Sequence, residues 1–325
     1  MTPVVDPELA FECDGTGRAH PAQTITSEAT GSGFVFVWLL QQGDDAGLRN
    51  TLTDLGLDDF VRDALLADET RPRCTVHGDG ALVNLRGVNL NAGAEPEDMI
   101  SARLWVSERR VIGVWRRPLK AVADLFDAMA RNQAPTSPGD LVARLALRLA
   151  DRAEPTVAAL NETIDGLEEA LLDDLTVGAR PALAQVRRRA ITLRRYMFPL
   201  RDALTTLEIE DLNWLTQQDR SRLREAAERV TRMAEELDAI RDRAQVVQDQ
   251  IMDKRAEVMN RQMLLLSIVA AIFLPLGLLT GLLGINVGGM PGADNPSAFW
   301  VVCGLLTGAA VMLVILFRWL GLLRR

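Results

Sequence analysis

Two long uncharged stretches near the carboxyl end constrain this sequence more than any other feature. Residues 263–283 run for 21 positions without a charge, and a helix of that length spans about 31 Å, close to the hydrocarbon core of a bilayer. A second uncharged stretch covers residues 298–317, and only 14 residues separate the two. The pattern predicts a transmembrane hairpin, residues 263–317, with a short connecting loop at residues 284–297.

The charges beside these spans predict the orientation of the hairpin. The loop carries one charge, Asp294, whereas basic residues flank both spans at their other ends: Lys254, Arg255, Arg261, Arg318, Arg324 and Arg325. Such residues are enriched on the cytoplasmic side, so we expect cytoplasmic termini, a basic tail at residues 318–325 and a periplasmic loop. The amino terminus is acidic and lacks an apolar segment, so no signal peptide is expected. The predicted location is a bacterial-type inner membrane.

Residues 1–139 are predicted to form an α/β domain. Residues 1–32 are rich in Thr, Ser, Gly and Pro and are expected to be partly irregular. The apolar patterns of the remaining part predict four features: a strand at residues 33–40, one short helix at residues 52–66, and hairpins within residues 74–90 and 100–119.

Residues 140–262 are predicted to be helical. Pro155 and Pro181 fall where helices can begin, and Pro199 predicts a kink. Residues 220–262 contain neither Gly nor Pro, and their apolar residues recur every three or four positions without a breaker before the first span. One helix of about 95 Å is therefore expected from residue 220 to residue 283. Its narrow apolar stripe needs neighbours, most simply copies of itself, which predicts a symmetric oligomer.

One face of the first span is lined by small or polar residues, and larger apolar residues continue the line: Ser267, Ala270, Gly277, Gly281 and Gly284, with Met263, Leu266 and Leu274. Such a stripe is compatible with close packing between membrane helices. It is equally compatible with a ring of helices around an axial pore, in which Met263 and Leu274 form apolar constrictions that gate by dewetting.

The segment GLLGINVGGMPG, residues 281–292, favours the pore. Irregular backbone at membrane depth must be hydrogen-bonded internally or line a wet cavity. A ring of Asn286 carboxamides would present neutral oxygens to a cation that keeps most of its water.

Several motifs resemble the CorA-type two-span cation transporters. The sequence FLPLGLLTGLLGIN, residues 273–286, ends in the Gly-x-Asn hallmark of that family, here Gly284, Ile285 and Asn286. The segments VGGMPG, LRRYMFPLRDAL and RLWVSERRVIGVWRRPL are similar to the zinc transporter ZntB branch of the family. The resemblance implies a homopentamer with an α/β cytoplasmic domain, a funnel of long stalk helices and two membrane helices per subunit.

The resemblance also implies roles for individual residues. Asn286 matches the ion-selecting position, and seven others match pore-lining positions: Asn260, Met263, Leu266, Ala270, Leu274, Gly277 and Gly281. Two departures limit what the resemblance implies. Acidic residues common after Gly-x-Asn are replaced by Val287, Gly288 and Gly289, which weakens the magnesium alternative. Gly277 replaces a polar residue often found on the pore face, which argues against a binding site for a dehydrated ion there.

The expected transported ion is Zn²⁺, with no resident cofactor. Zinc prefers Cys, His and carboxylate ligands, and the chain is poor in the first two, so a hydrated ion is expected to contact Asn286 through water. Further candidate contacts are Asp249, Asp253, Glu257 and, in the loop, Asp294. The three stalk acids are equally compatible with solvated charges paired with Lys254 or Arg261.

Cys74 and His77 form a C-x-x-H pair, but residues three apart on a strand point to opposite faces, so joint metal binding would need a bulge. The family branch is associated with proton coupling. The sequence has no carboxylate or histidine between residues 263 and 290, so such coupling would involve Asp294, the stalk acids or metal-bound water.

Other classes of function find less support. Residues 1–69 hold 13 acids against 3 bases, which argues against nucleic-acid binding, and no dinucleotide fingerprint or catalytic triad indicates an enzyme. Two alternatives remain open: a CorA-like channel for Mg²⁺, Co²⁺ or Ni²⁺, and a membrane-anchored coiled-coil receptor or scaffold.

Overall fold

The structure is a computed structural model that describes residues 8–22, 33–41, 45–68, 71–172, 179–285, 292 and 295–320. Contacts between residues divide the chain into two compact units, residues 1–248 and residues 249–325.

A seven-stranded sheet forms the centre of the first unit. Its strands are β1 (Glu8–Cys13), β2 (Ala19–Pro21), β3 (Phe34–Leu40), β4 (Arg73–His77), β5 (Gly80–Gly87), β6 (Ile100–Val106) and β7 (Arg110–Trp115). The order across the sheet is β2-β1-β3-β7-β6-β5-β4. β3 and β7 are parallel, and all other neighbours are antiparallel.

Seven helices complete the described chain: α1 (Asp45–Asp54), α2 (Asp59–Leu66), α3 (Lys120–Ala130), α4 (Pro138–Leu172), α5 (Ala179–Ile209), α6 (Gln217–Leu283) and α7 (Ala298–Trp319). Side chains alternate between the two faces of a strand, and both faces of β3 are buried. Val37 belongs to the core cluster that includes residues of α1 and α2. Phe36, on the other face, lies 6.0 Å from Phe126 of α3. The sheet is therefore covered by helices on both sides.

The sequence pattern predicts most of the sheet correctly. The strand at residues 33–40 and both hairpins are present. The irregular start is only partly correct, because β1 and β2 lie within residues 1–32. The single helix at residues 52–66 is wrong. Gly56 adopts a φ of +79° there, and the Asp58 side chain accepts a hydrogen bond from the backbone N–H of Val61, so a second helix begins.

Within the described residues, α4, α5 and α6 occupy the region predicted to be helical apart from residues 210–216, and the predicted kink at Pro199 stays a prediction. Pro155 lies inside α4 and does not begin a helix, whereas Pro181 falls in the first turn of α5. α6 continues without a break from Gln217 to Leu283. Its predicted apolar stripe is buried from Leu223 to Ile251. Val258 is 53% exposed within the single chain.

Arg243 joins α6 to α4 through its guanidinium group. Nε and Nη2 donate to the two carboxylate oxygens of Glu168 at 2.9 and 2.6 Å, and Nη1 donates to Oδ1 of Asn161 at 2.9 Å. Nη2 also pairs with Asp165. These hydrogen bonds raise the pKa of Arg243 above its ordinary value. The planar fork of donors therefore holds two helices at a fixed register.

Replacing Arg243 with Gln is expected to destabilise the first unit by about 1 kcal/mol, a modest value because the side chain is 34% exposed and salt screens it. Arg243→Lys is expected to lose most of the same stabilisation, because an ammonium group cannot reproduce the fork. Thermal unfolding followed by tryptophan fluorescence measures both. Arg232→Gln, an exposed position on the same helix, is the matched control, and equal shifts for Arg232 and Arg243 variants would contradict the prediction.

Candidate ion pathway in the first membrane helix

Two helices of the second unit are long and apolar enough to cross a membrane: the carboxyl-terminal part of α6 and all of α7. Length and composition alone would also fit a core helix of a soluble protein, but α7 has no buried residue. Leu274 is 76% exposed, and Trp300 and Trp319 are 75% and 82% exposed. So much exposed apolar surface is unfavourable in water, which favours a lipid environment for both helices.

Aromatic residues lie at both ends of α7, a feature that a hydropathy profile does not take into account. Phe299 and Trp300 lie at its beginning, and Trp319 lies at its end beside Arg318. The two tryptophans are 19 residues apart, about 28 Å along a helix. Aromatic rings at both edges of an apolar helix are typical of the two interfaces of a bilayer.

Within the second unit, α6 presents two different faces. Ile268 is 7% exposed, and Ile272, Leu276 and Leu279 are also less exposed than the residues around them. α7 has a similar stripe at spacings of three and four: Val302, Leu306, Ala309, Leu313 and Phe317. Paired stripes of this kind are expected where two membrane helices pack along one seam.

The predicted pore stripe lies on the opposite side of α6. At about 100° per residue, Ala270, Leu274 and Gly277 are roughly half a turn away from the Ile268 stripe. The large members of the stripe are open: Met263 is 52% exposed, Leu266 74% and Leu274 76%. A β-carbon added at Gly277 or Gly281 would meet no atom within 4 Å. Among the described residues, the face that the sequence singles out is therefore not used for packing.

Polar groups on this helix are satisfied locally. The Ser267 hydroxyl donates to the Met263 carbonyl at 2.9 Å, and the Thr280 hydroxyl donates to the Leu276 and Gly277 carbonyls at 3.0 Å each. Pro275 lies inside α6 and has no N–H to donate to the carbonyl four residues earlier in the helix. The Thr280 hydroxyl does not compensate for this, because it bonds to carbonyls that follow the proline. The apolar wall thus carries no unpaired hydroxyl at these two positions.

α6 ends at Leu283, directly before the first residue of the Gly-x-Asn motif. The Gly284 N–H donates to the Thr280 carbonyl at 2.9 Å, and an added β-carbon there would lie 3.1 Å from the same oxygen. Ile285 follows the helix and is 47% exposed. Asn286 and Asp294 lie outside the described residues, so their predicted contacts with the ion remain predictions.

The stalk acids proposed to contact the ion, Asp249, Asp253 and Glu257, are exposed on α6, as is the predicted pore-lining residue Asn260. The buried residues of the same stretch are Ala244, Val247 and Ile251, on another face. In the described part of the chain, no group of three or more His, Cys, Asp or Glu side chains is arranged to hold a metal ion. The three acids do not form a preformed chelating site within one chain.

Cys74 and His77 are not brought together. Nε2 of His77 lies 2.6 Å from Oδ2 of Asp58, and the His77 ring packs 4.6 Å from Phe60 of α2. Cys74 lies toward the other face, where burial, with a smaller contribution from Glu210, raises the pKa of its thiol to about 12. A thiol that stays protonated at neutral pH is a poor zinc ligand. The structure therefore supports the reading in which this pair holds no metal.

The Asp58 carboxylate is expected to make the stability of the first unit depend on pH. Hydrogen bonds from the Val61 N–H and from His77 lower its pKa below the usual 3.8. Because the folded pKa is lowered, its stabilisation is complete above about pH 5 and is lost as pH falls through the folded value. Asn caps a helix as well as Asp does, so Asp58→Asn removes the charge and keeps the cap.

We expect wild type to unfold at a higher temperature than Asp58→Asn at pH 7, and the difference to shrink toward pH 3. Thermal unfolding across this range measures it. Asp63→Asn, an exposed carboxylate on α2, is the control, and a difference that grows on acidification would contradict the sign.

Comparison with known proteins places these features in a family. Residues 34–319 match the family described as "CorA-like Mg2+ transporter protein". The chain is 43% identical to "Divalent cation transporter CmaX" of Pseudomonas aeruginosa over 266 residues, which cover 81% of this chain and 79% of that protein. It is 35% identical to "Zinc transport protein ZntB" of Pectobacterium atrosepticum over 301 residues, or 91% of this chain and 90% of that one.

Solved structures agree. The structure of full-length CmaX superimposes with a TM-score of 0.84 at 37% identity, covering 98% of this chain and 99% of that one. The CorA magnesium transporter of Methanocaldococcus jannaschii gives a TM-score of 0.81 at 18% identity, covering 95% and 97%, and shows the fold alone. The resemblance inferred from Gly284, Ile285 and Asn286 is confirmed. The chain is a transporter and not an enzyme, and it belongs to the family of CorA-like Mg²⁺ transporter proteins.

Proposed function

We propose that this chain carries divalent cations, Zn²⁺ foremost, through the central pore of a homopentamer in a bacterial-type inner membrane. The observation that carries the proposal is the two-faced character of α6. Its small-residue stripe is left open by the packing of the described residues and ends beside Gly284 and Ile285, which Asn286 follows in the sequence. The relatives named for zinc and for divalent cations support the choice of ion.

Each part of the stripe has a proposed role. The pore-lining residues are Asn260, Met263, Leu266, Ala270, Leu274, Gly277 and Gly281. Large apolar side chains such as Leu274 close the pore by excluding water, and the glycines leave room for a hydrated ion. Asn286 selects the ion through its water shell, since a neutral carboxamide cannot replace the hydration of a small dication.

The rest of the chain organises this pathway. We propose a cytoplasmic α/β domain at residues 1–139, a helical funnel and stalk at residues 140–262, and a membrane hairpin at residues 263–317. The basic residues beside the spans favour cytoplasmic termini and a periplasmic loop. Asp249, Asp253 and Glu257 would attract cations at the cytoplasmic mouth, and Asp294 would do so at the periplasmic mouth.

Proton coupling would use groups outside the lipid-embedded part of the pathway. Between residues 263 and 290 the sequence offers no carboxylate or histidine to carry a proton. The stalk acids, Asp294 or metal-bound water would therefore hold the proton.

A CorA-like channel for Mg²⁺, Co²⁺ or Ni²⁺ is the second candidate function, and the family match itself favours it. Membership in a family of transporters leaves the scaffold alternative without support.

Purified protein in liposomes tests the proposal. Metal influx is measured with an entrapped fluorescent indicator for Zn²⁺, Co²⁺, Ni²⁺ and Mg²⁺, with and without an inward proton gradient. We expect Zn²⁺ influx, stimulated by the gradient. Influx that is equal with and without the gradient would support a channel, and Mg²⁺ influx faster than Zn²⁺ influx would support the second candidate. Absence of influx for all four ions would overturn the transport proposal.

A further inference from the structure

A basic pocket lies in the first unit, far along the sequence from the membrane helix. It has a volume of about 340 Å³ and is lined by side chains of the sheet, of the segments that follow α2 and β7, and of α5. Five of its lining residues are arginines: Arg86, Arg103, Arg116, Arg117 and Arg195. Three carboxylates also line it, so the walls carry an excess of two positive charges in a protein of net charge −8.

One of these arginines is buried at a position where burial is costly. Arg103 is 2% exposed and belongs to β6. Its Nη1 donates to the Ala67 carbonyl at 2.9 Å, and its Nη2 donates to Oε1 of Gln41 at 2.8 Å. The same oxygen accepts from Nε of Arg116 at 2.9 Å. Gln41 therefore holds two guanidinium groups side by side, although like charges repel at short distance.

A tyrosine orients two more arginines. The Arg86 guanidinium lies 4.3 Å from the centre of the Tyr196 ring, and the Arg195 guanidinium lies 4.9 Å from it. Nη2 of Arg195 also donates to the Tyr196 hydroxyl at 2.9 Å. Stacking on an aromatic ring fixes the plane of a guanidinium group and so limits the directions in which its N–H groups can donate.

The three carboxylates of the lining differ in their partners. Glu97 accepts from Nε of Arg189, which lies outside the pocket lining, at 3.1 Å. Asp68 pairs with Arg116 and is 86% exposed. Arg117 donates to the main-chain carbonyl of Asp98, not to its carboxylate, at 3.4 Å. Among the residues that line the pocket, five arginines stand beside three carboxylates, and only one of those carboxylates, Asp68, forms an ion pair with a lining arginine among the described contacts.

We propose that this pocket binds a small phosphate-bearing anion. Guanidinium groups match phosphate oxygens in pairs of parallel hydrogen bonds, and several held together act as a phosphate clamp. The volume lies near the lower end of small-molecule sites, roughly 300–1,000 Å³, and fits a phosphate or pyrophosphate group. Because Tyr196 already stacks against guanidinium groups, the recognised part is the phosphate and not an aromatic base. This site is separate from the proposed cation pathway and does not depend on it.

Titration calorimetry on the full chain in detergent, at constant ionic strength, tests the proposal. The probes are inorganic phosphate, pyrophosphate and glycerol phosphate, the last standing for a phospholipid headgroup. We expect saturable binding to one site per chain. In Arg86→Gln/Arg195→Gln the affinity is expected to fall by about tenfold or more, because hydrogen bonds to a charged group are lost. Arg187→Gln/Arg188→Gln, which changes two exposed arginines of α5 outside the pocket, is the matched control.

The outcomes separate clearly. Tighter binding of glycerol phosphate would point to a lipid headgroup. Tighter binding of free phosphate or pyrophosphate would point to a soluble ligand. Either of these two results supports the proposal. Absence of saturable heat with all three probes would overturn it, as would an equal loss in the control variant or equal displacement by chloride. Should the double variant misfold, Arg117→Gln at an exposed position takes its place, with the ³¹P line width of pyrophosphate as the readout.

Discussion

Replacing Asn286 with Ala is expected to reduce Zn²⁺ influx into liposomes by at least about tenfold, because each subunit of the proposed pore would lose a hydrogen bond to a charged, hydrated ion. In the proposed pentamer this loss would be repeated five times around one ion. Assembly should be unchanged, since the substitution removes a carboxamide and leaves the apolar spans intact. Size-exclusion chromatography of the detergent-solubilised protein and a fluorescent zinc indicator measure the two quantities.

Asn295 provides the matched control for this experiment. It lies in the same connecting segment and its Oδ1 accepts from the Ser297 N–H at 3.0 Å, near the beginning of α7. Asn295→Ala therefore removes the same chemical group from a position with a local structural partner, and influx should stay within about twofold of wild type, given the small cost of one neutral hydrogen bond. Equal influx in wild type and Asn286→Ala would remove Asn286 from the proposed selectivity site.

The largest effect on stability is expected at Gly113 of β7. An added β-carbon would lie 2.0 Å from Cε3 and 2.1 Å from Cζ3 of Trp38. Trp38 is 1% exposed and packs edge-on against Trp115 at 5.4 Å, so it has no open space to move into. Gly113→Ala is therefore expected to cost about 3 kcal/mol or more by overpacking the core. Thermal unfolding of the full chain, followed by tryptophan fluorescence, checks it.

Gly166 of α4 separates this steric effect from the general effect of adding a methyl group. A β-carbon at Gly166 would meet nothing within 4 Å, and Ala favours helix over Gly. Gly166→Ala should stabilise the protein by up to about 1 kcal/mol. If Gly113→Ala unfolded at the temperature of wild type, the packing of Trp38 against the sheet would have to differ from that described.

The long helices and the hairpins were predictable because their signals are periodic and local. The unbroken α6 follows from a run of residues 220–262 without Gly or Pro, and the turn at Gly78 follows from glycine chemistry. The division between α1 and α2 was missed because the apolar spacing of residues 52–66 continues across Gly56. Here the positive φ of one glycine and the Asp58 cap outweigh the helical pattern.

The candidate sites differ in how well they can be predicted from the sequence. The stripe through Leu274 and Gly277 follows from helical spacing, and its position opposite Ile268 needed only side-chain exposure to be recognised. The basic pocket could not be predicted. Arg103 and Arg195 are 92 residues apart, and only the folded sheet and α5 place both in one cavity. β1 was missed for a similar reason, since its pairing with β3 is a long-range contact, and β2 joins the sheet only through β1.

The open space beside Gly277 and Gly281 has an evolutionary consequence. In the proposed pore, substitutions at these positions would alter the bore and leave the fold of the subunit untouched, since no described residue lies within 4 Å of an added β-carbon. Natural selection could then adjust throughput and ion size preference independently of folding, one methyl group at a time.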